Sequence, residues 1–587
     1  MNRIAPIFSV ALALSFSALA LAQTAPQLES TRSGIPPARG IVAQHGMVVA
    51  QEARAARIGV EMLDRGGNAV DAAVAVGFAL AVTYPRAGNI GGGGFMVIHL
   101  AKTQNLDNRD IAIDYRETAP AAATPTMFLD AKGEPDAAKS RDSGLAVGVP
   151  GTVAGLALAQ QKYGSGKLSL ADLMAPAIDL AFKGFTVEDD TADSLPRARE
   201  RLARWRSTAG ILLKNGGQPL QEGDRLIQFD LADTLRAIAQ KGPSAFYEGA
   251  TAARIADAVR NAGGVMTKDD LKNYRALERP VVRGSYRGYD IVSMPPPSSG
   301  GVHLIEMLNI LEGDDLAKLG RGEKSLHLLI EAMKRTYADR AVYMGDPDAV
   351  TMPIAGLTSK KYAASLRASI NDKATPAADI RPGKFPDNEG KNTTHFSVID
   401  RDGNAVSNTY TLNFSYGLGL IADGTGVLLN NELDDFTAKP GAANAFGLVG
   451  YMANLPGPNK RPLSSMTPTI VLKDGKPFLI TGSPGGSRII TAVLQVITNV
   501  IDFKMPIAEA VTAPRLHHQW QPDQVFVEPG FNPDWLDALA ARGHKIVPAR
   551  PATSANSIEV MPKGDLTPQT YVGAADTRTR GALAAGY

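Results

Sequence analysis

The sequence predicts an α+β protein in which layers of helices cover a mixed β-sheet, and three stretches of the chain indicate this. Residues 51–83 carry alanine, valine and leucine at helical spacing. The region from about 150 to 380 is also mostly helical in pattern, with few strand signals. After residue 393 the pattern changes to short apolar runs separated by turns, which is typical of strands. Such elements pack in layers around a common core.

Two helices, a glycine loop and two strands are predicted near the start of the chain. Gly66-Gly67 marks a break between two helices within 51–83, and the second helix is almost entirely apolar, which indicates burial. GNIGGGGFMVIHL at 88–100 predicts a loop and a strand, and DIAIDYRE at 110–117 predicts a strand that ends at Arg116. These glycines match no nucleotide-binding pattern, so we expect them to permit tight turns or close backbone approach.

A β-hairpin is predicted within KNTTHFSVIDRDGNAVSNTYT, residues 391–411. Polar and apolar residues alternate on both sides of Arg401-Asp402-Gly403-Asn404, which has the composition of a tight turn. With a loop of two or three residues, paired positions have numbers that sum to about 804 or 805. Thr411 is therefore expected opposite Thr393 or Thr394.

The threonines of this hairpin have two structural explanations and one chemical one. Threonine pairs across antiparallel strands are common, and Asn392 and Asn413 each fit the short glycosylation pattern N-x-[ST]. If the bond between Asn392 and Thr393 were cut, Thr393 would instead carry both a hydroxyl nucleophile and an α-amino group. The pKa of that amine, about 7.7–8.0 in model peptides, suits a general base.

Composition and the first residues bound the class of protein. Residues 1–22 have an early arginine, a long apolar stretch and an A-x-A site, which predicts a secretory signal and a periplasmic protein, although release into the medium is also open. Lys and Arg number 61 against 59 Asp and Glu, so we expect no nucleic-acid partner. The chain has no cysteine and no metal-ligand spacing among its 8 histidines, so no metal and no cofactor are expected.

Several long motifs in sequence order resemble those of the γ-glutamyltranspeptidases. The motifs are GGNAVDAAVAVGFALAVTYPRAGNIGGGGFMV, DYRETAP, TTHFSVIDRDGNAVSNTYTLN, GVLLNNELDDFTAKPG, NKRPLSSMTPTIV and GSPGGSRI. The resemblance covers nearly all of the chain after the leader and implies the four-layer αββα sandwich of N-terminal-nucleophile hydrolases. It also implies one precursor that cuts itself between Asn392 and Thr393 into a large subunit, 23–392, and a small catalytic subunit, 393–587.

The resemblance also implies roles for individual residues. Thr393 would be the nucleophile, Thr411 a supporting hydroxyl, and Gly485 and Gly486 an oxyanion hole. The remaining matches hold the amino-acid end of the donor: its α-carboxylate on Arg116, Ser464 and Ser465, and its α-ammonium on Asn413, Glu432 and Asp435. Two purely structural alternatives stay open for the charged residues. Arg116 could form a surface ion pair with Glu117 or another acid, and the acidic residues of NNELDDF could lie in a turn with solvated charges.

The implied activity is transfer of a γ-glutamyl group from glutathione or other γ-glutamyl compounds to water, an amino acid or a dipeptide. One departure from the family concerns the lid segment 439–460, where Phe446 stands in place of the usual tyrosine. Two alternatives remain: a cephalosporin (glutaryl) acylase of the same fold, and an uncleaved, non-catalytic periplasmic binding protein. Asp435 argues against the acylase, because a buried acid without a cationic partner is costly.

Overall fold

The computed structural model describes residues 34–102, 109–383, 394–564 and 568–587. The predicted leader, the proposed cleavage site at Asn392 and the proposed nucleophile Thr393 lie outside these residues. Within them the chain forms two seven-stranded sheets and several two- or three-stranded ones.

Sheet I and sheet II, as we name the two large sheets, are each antiparallel throughout. Sheet I has the spatial order Leu583–Gly586, Gly46–Ala50, Thr394–Asp400, Ala405–Thr411, Gly93–Leu100, Arg109–Tyr115 and Leu277–Arg279. Sheet II has the order Ile41–Ala43, Thr570–Ala574, Ser557–Met561, Lys476–Thr481, Thr469–Lys473, Tyr289–Ser293 and Val282–Tyr286. The smaller sheets are Ile421–Ala422 with Val427–Leu428, Leu516–His517 with Val525–Val527 and Ile546–Pro548, Phe185–Thr186 with Arg225–Leu226, and Leu213–Lys214 with Gln218–Pro219.

Helices cover the outer face of each large sheet. The apolar cluster on sheet I takes in Ala53–Asp64, Ala69–Thr83, Thr152–Tyr163, Leu170–Lys183, Asp189–Ala203, Arg206–Leu212, Phe229–Lys241, Ser244–Tyr247, Gly249–Asn261 and Lys268–Asn273. The cluster on sheet II takes in Gly300–Leu311, Leu316–Leu319, Glu323–Tyr343, Ile354–Leu357, Lys360–Ala368, Ile489–Ile501, Ile507–Thr512 and Pro533–Ala541. The short helix Ala137–Arg141 lies beside the turn Glu432–Asp435.

A third apolar cluster lies between the two sheets and fixes the order of the layers. Val49, Phe95 and Ile399 contribute to it from sheet I, and Val292 and Ile480 contribute from sheet II. Neighbouring residues on the same strands face the helices instead, because side chains alternate along a strand. The result is helix, sheet, sheet, helix, which confirms the predicted αββα sandwich.

The predicted helix pair in 51–83 is confirmed as Ala53–Asp64 and Ala69–Thr83, with Gly66-Gly67 between them. The second helix begins at a capping box in which the Asn68 side chain accepts from the backbone of Asp71 and the Asp71 side chain accepts from that of Asn68. Every residue of this helix is buried, as its apolar composition indicated. Its face against sheet I supports the strands of the hairpin.

The hairpin has the predicted register. Thr394 pairs with Tyr410 and Ile399 with Ala405, so paired numbers sum to 804. The backbone of Asp400 bonds to that of Asn404 at 3.0 Å, which leaves a three-residue loop that ends at Gly403 with φ +87°. A glycine with positive φ is what such a loop requires at this position.

Residues 395–400 and 405–411 of the hairpin are buried, and polar residues such as Ser407 point to sheet II, where the Ser407 hydroxyl donates to the Thr481 backbone oxygen at 3.0 Å. Two expectations need correction. The strand-poor region 150–380 supplies Val282–Tyr286 and Tyr289–Ser293 to sheet II. Their sequence, VRGSYRGYDIVS, is polar because one of the two strands lies at the sheet edge. The predicted mixed sheet is instead two antiparallel ones.

Candidate active site

One large cavity, of about 1260 Å³, gathers five of the residues that the sequence singled out. These are Thr411, Asn413, Phe446, Gly485 and Gly486. They come from the end of a sheet I strand, the segment after it, the lid segment and the loop before helix Ile489–Ile501. The fold therefore converges these distant segments on one pocket.

Thr411 and Asn413 form a tight corner at the end of the second hairpin strand. The Thr411 hydroxyl accepts the backbone N–H of Asn413 at 2.7 Å, and Asn413 has φ +72°. The Asn413 side chain donates to the backbone oxygen of Asn431 at 2.9 Å, which ties the corner to the turn that carries Glu432. Asn tolerates this left-handed backbone better than most residues, so the local geometry depends on its identity.

The glycine loop packs directly on this corner. A Cβ at Gly92 would lie 2.0 Å from the backbone oxygen of Thr411, so only glycine fits. Asn89 donates from its side chain to the same oxygen at 2.8 Å and accepts the Gly92 N–H at 2.8 Å. The expectation that these glycines serve close backbone approach is thereby confirmed.

Gly485 and Gly486 have backbone conformations that disfavour other residues, with φ +134° and φ +65°. The segment continues as a short turn, Gly486–Arg488, into the helix Ile489–Ile501. Among the described residues, neither backbone N–H has a hydrogen-bond acceptor. Two N–H groups that lack an acceptor and lie beside a cavity can donate hydrogen bonds to a developing oxyanion.

Phe446 of the lid segment closes over this glycine pair. A Cβ at Gly486 would lie 2.7 Å from Phe446 Cδ1, so the ring rests directly on the glycine. The ring also meets Phe414 edge to face at a centroid distance of 5.8 Å, and Gln519 donates to the Phe446 backbone oxygen at 3.2 Å. The aromatic side chain therefore contacts the site without a hydroxyl.

Arg116, Glu432 and Asp435 form a fully buried ion-pair cluster. One guanidinium nitrogen of Arg116 pairs with Glu432, the other donates to Asp435 at 2.7 Å, and Glu117 lies 3.8 Å away. Burial raises the pKa of Glu432 well above its usual range and that of Glu117 to about 8. Burial alone would lower the pKa of Arg116, but the carboxylates of Glu432 and Asp435 hold it above its ordinary value.

The two structural alternatives, a surface ion pair of Arg116 and a turn with solvated charges, are wrong, since Arg116, Glu432 and Asp435 are all inaccessible to solvent. The Arg116 ion pairs are internal, and the turn in NNELDDF is buried. Arg116 Nε also donates to the backbone oxygen of Pro462 at 2.9 Å, which connects the cluster to the segment that carries the paired serines.

Ser464 and Ser465 lie next to this cluster, and an arginine that the sequence analysis missed holds one of them. Arg340 donates to the Ser465 hydroxyl at 3.0 Å and through Nε to the Ser299 hydroxyl at 3.2 Å. The Ser464 hydroxyl accepts the backbone N–H of Met466 at 3.1 Å. Arg340 belongs to Glu323–Tyr343, a helix that is buried almost throughout. Charged residues in an otherwise apolar helix pattern could have indicated Arg340 from the sequence.

The predicted residues thus fall into two adjacent groups. Arg116, Glu432, Asp435, Ser464 and Ser465 do not line the cavity, whereas the other five do. The lid segment lies between them, since Asn444 donates to Asp435 at 3.5 Å and is followed two residues later by Phe446. Thr393 itself lies outside the described residues.

The sequence analysis predicts that the protein binds no metal ion, and this stays a prediction. Within the described part of the chain, His327, Glu331 and His544 bring potential ligand atoms within 4.8 Å of one another. Both oxygens of Glu331 are already paired, with Lys334 at 2.8 Å and Arg335 at 2.6 Å. Two cations beside the carboxylate disfavour a bound metal ion.

No helix in the described ranges combines the length and apolar character that crossing a membrane requires.

A family model and the most similar curated relatives indicate the same protein family. A family model described as Gamma-glutamyltranspeptidase matches residues 55–586. A glutathione hydrolase proenzyme of Escherichia coli (strain K12) is 52% identical over 548 residues, covering 93% of this chain and 92% of that protein. A second, from Pseudomonas sp. (strain A14), is 48% identical over 552 residues, covering 93% of this chain and 95% of that protein.

The fold by itself is shared more widely. The crystal structure of a cephalosporin acylase from Bacillus halodurans matches with a TM-score of 0.81 at 29% sequence identity, covering 94% of this chain and 97% of that one. Overall architecture therefore does not separate these activities, and the residues of the site have to do so.

Proposed function

Because this chain belongs to the γ-glutamyltranspeptidase family, we propose that it cuts itself between Asn392 and Thr393 and then transfers γ-glutamyl groups. Donors are glutathione and related γ-glutamyl amides, and acceptors are water, amino acids and dipeptides. The large subunit is 23–392 and the small one 393–587, after removal of the signal peptide 1–22 on export to the periplasm.

The hairpin register is the observation that carries the proposal. Paired numbers sum to 804 along the strands, and the same sum relates Thr411 to position 393. A nucleophile at 393 would then lie at the end of the strand beside the Thr411 corner and the glycine pair. In the uncut chain the Thr393 hydroxyl attacks the carbonyl carbon of Asn392, and the bond from that carbon to the Thr393 nitrogen breaks, which leaves an ester and a free α-amine. Water then hydrolyses the ester and releases the Asn392 carboxylate and the Thr393 hydroxyl.

The buried ion-pair cluster suits the zwitterionic end of a γ-glutamyl donor. With the donor carboxylate on Arg116, Ser464 and Ser465 and its ammonium on Asn413, Glu432 and Asp435, the internal pairs of Arg116 with Glu432 and Asp435 are exchanged for intermolecular ones. The net charge of the buried site does not change, so the desolvation cost of the donor is offset by opposite charges already in place. The lid must move first, since the cluster is sealed in this arrangement.

The chemical steps follow from these positions. Thr393 attacks the γ-carbonyl, the N–H groups of Gly485 and Gly486 stabilise the oxyanion, and the amine leaves with the proton that the Thr393 α-amine has taken up. Water or another amine then attacks the ester carbon and restores the threonine hydroxyl. Phe446, which covers Gly486, controls access to this ester.

The glutaryl acylase alternative draws support from the structural likeness to a cephalosporin acylase. A glutaryl donor lacks the α-ammonium group, so two of the buried carboxylates around Arg116 would face no second cation. Uncompensated buried charge is costly, and this favours the γ-glutamyl donor.

The test combines a denaturing gel with two anilide substrates. The purified protein is expected as two pieces, the smaller starting at Thr393, and Thr393→Ala as a single inactive chain, with Thr394→Ala as the neighbouring control that is still cut. γ-Glutamyl-p-nitroanilide should be hydrolysed much faster than glutaryl-p-nitroanilide. An intact single chain would refute self-cleavage and favour the binding-protein alternative, and a preference for the glutaryl compound would favour the acylase.

A further inference from the structure

The cavity wall carries a concentration of positive charge that the proposed chemistry does not use. Within the described part of the chain, seven arginines line the cavity, against Asp142 and Glu200. The chain as a whole is nearly balanced, with 61 basic and 59 acidic side chains, so this excess is local.

Three of these arginines are held in ion pairs that account for their presence. Arg86 pairs with Asp190 at 2.6 Å. Arg578 pairs with Glu528 at 2.6 Å and with Asp576 at 3.0 Å. Arg204 pairs with Asp142 at 3.2 Å, which uses one of the two acids on the wall.

The other four form what we call the arginine group: Arg197, Arg201, Arg488 and Arg550. Among the described residues, none of the four has a carboxylate oxygen within 4.0 Å. Arg197 and Arg550 are exposed, while Arg201 and Arg488 are half-buried. Burial lowers the pKa of Arg201 and of Arg488, as expected for partly dehydrated cations without a counter-ion.

Contacts connect the arginine group to the glycine pair Gly485 and Gly486. The Arg201 guanidinium lies 5.0 Å from the centre of the Phe414 ring and donates to the Ser415 backbone oxygen at 3.3 Å. Phe414 packs on Phe446, which rests on Gly486. Arg488 follows Gly486 by two residues, with its guanidinium over Phe526 at 5.0 Å. The group therefore begins where the proposed ester carbonyl would lie and extends outward along the cavity.

We propose that the arginine group binds the carboxylates of the peptide amine that leaves the donor or accepts the γ-glutamyl group, and that the enzyme selects peptides with two or more carboxylates. This rests on the proposed function. The donor's own α-carboxylate is assigned elsewhere, to Arg116 and the serines, so the group is left for the other half of the reaction. Guanidinium groups pair with carboxylates through two parallel hydrogen bonds.

The leaving and the attacking amine use the same wall because their steps are the reverse of each other. In transfer, the amine nitrogen bonds to the γ-carbonyl carbon, the bond from that carbon to the Thr393 oxygen breaks, and the amine proton passes through the α-amine to that oxygen. The leaving amine takes this path in the opposite direction. One anion-binding wall can thus serve both.

An acceptor series tests the proposal with γ-glutamyl-p-nitroanilide as donor. Glycylglycinamide, glycylglycine and glycylglutamate carry none, one and two carboxylates on a common scaffold. At low ionic strength kcat/KM for the acceptor should rise about fivefold per carboxylate, the factor of a partly exposed ion pair. The rise should shrink in 0.5 M salt, where screening is strong.

A donor series separates the two sources of the ligand. γ-Glutamyl-glycinamide, γ-glutamyl-glycine and γ-glutamyl-glutamate differ in the carboxylates of their leaving groups, and hydrolysis is followed without acceptor. A preference in either series supports the proposal and identifies which amine is bound. Equal rates within both series would overturn it.

Matched variants test whether the arginine group causes the preference for peptides with more carboxylates. The double variant Arg197→Gln/Arg550→Gln changes two exposed side chains and should reduce the ratio of glycylglutamate to glycylglycinamide rates by about fivefold or more, with Arg201 and Arg488 still in place. Arg39→Gln/Arg57→Gln removes the same charge at exposed positions outside the cavity and should keep the parental ratio. An unchanged ratio in the first double variant would overturn the proposal. Absence of p-nitroaniline release from the parent enzyme would overturn the proposed function and this proposal with it.

Discussion

Replacement of Gly486 by alanine probes the contact between the glycine pair and the lid. The new methyl group would lie 2.7 Å from Phe446 Cδ1, well inside van der Waals contact, and the position has φ +65°. Either the ring must leave its place or the loop must shift. Each response changes something that the proposed chemistry needs.

The magnitude follows from three contributions. A non-glycine residue in the left-handed region costs about 1–2 kcal/mol. Overpacking against the Phe446 ring adds about 1–3 kcal/mol. If the loop shifts and one oxyanion donor is lost, kcat should fall by about 10²–10³.

The assay is kcat for hydrolysis of γ-glutamyl-p-nitroanilide, measured on protein that a gel shows to be cut. Gly133→Ala is the matched control, because Gly133 has φ +77° and nothing within 4 Å of an added Cβ. It shares the backbone cost without the clash and should keep the parental kcat. In a Phe446→Ala background, Gly486→Ala should lose less than it does in the parent, since the clashing ring is gone.

Two results would refute this reasoning. A kcat within twofold of the parent would mean that the loop keeps its N–H groups in place despite the added methyl group, and that displacement of the Phe446 ring does not slow the reaction. An equal loss in the presence and absence of the Phe446 ring would mean that the lid does not rest on the glycine in the working enzyme.

Three further predictions concern other parts of the site. Arg340→Lys should lower kcat/KM for the donor by about 10- to 100-fold, because one ammonium cannot replace both hydrogen bonds of the guanidinium, including that to Ser465; unchanged donor kinetics would contradict it. Thr411→Val should slow precursor cleavage on a time-course gel, since the hydroxyl that accepts the Asn413 N–H is lost; cleavage at the parental rate would exclude this role. Burial lowers the pKa of His395 to about 3, so below about pH 6.5 the unfolded chain binds a proton that the folded one does not, and stability falls by about 2 kcal/mol at pH 5. Urea denaturation at pH 7.5 and 5 should therefore show a smaller pH dependence for His395→Gln than for the parent.

Local rules were sufficient for the hairpin and the first helices. The turn residues before Asn404 restrict the loop to two or three residues, and the loop length restricts the register to two neighbouring possibilities, of which the structure has the sum 804. The capping box at Asn68 and the apolar run after it specify a buried helix whatever it packs against. These predictions needed no knowledge of distant contacts.

The strands at 282–293 and the role of Arg340 could not be predicted in this way. The strand Val282–Tyr286 is polar because its position at the sheet edge leaves part of its surface in water, and this position depends on the rest of sheet II. Arg340 is one of several charged residues in a long helix, and only the packing of that helix brings it to Ser465. Resemblance to the family supplied Arg116 and its carboxylates as a set, but not that they pair with one another while buried.

Sequence patterns were enough to predict the α+β character, to narrow the hairpin register to two possibilities and, through long motifs, to indicate the family. Each of these depends on neighbouring residues or on long contiguous patterns. Packing in three dimensions was needed to show that the Phe446 ring lies on Gly486, that the charges around Arg116 are buried, and that arginines from 197 to 550 share one cavity wall. The reason is physical: burial and electrostatic fields depend on distances in space, and the chain brings these residues together only when its two sheets and their helices have packed.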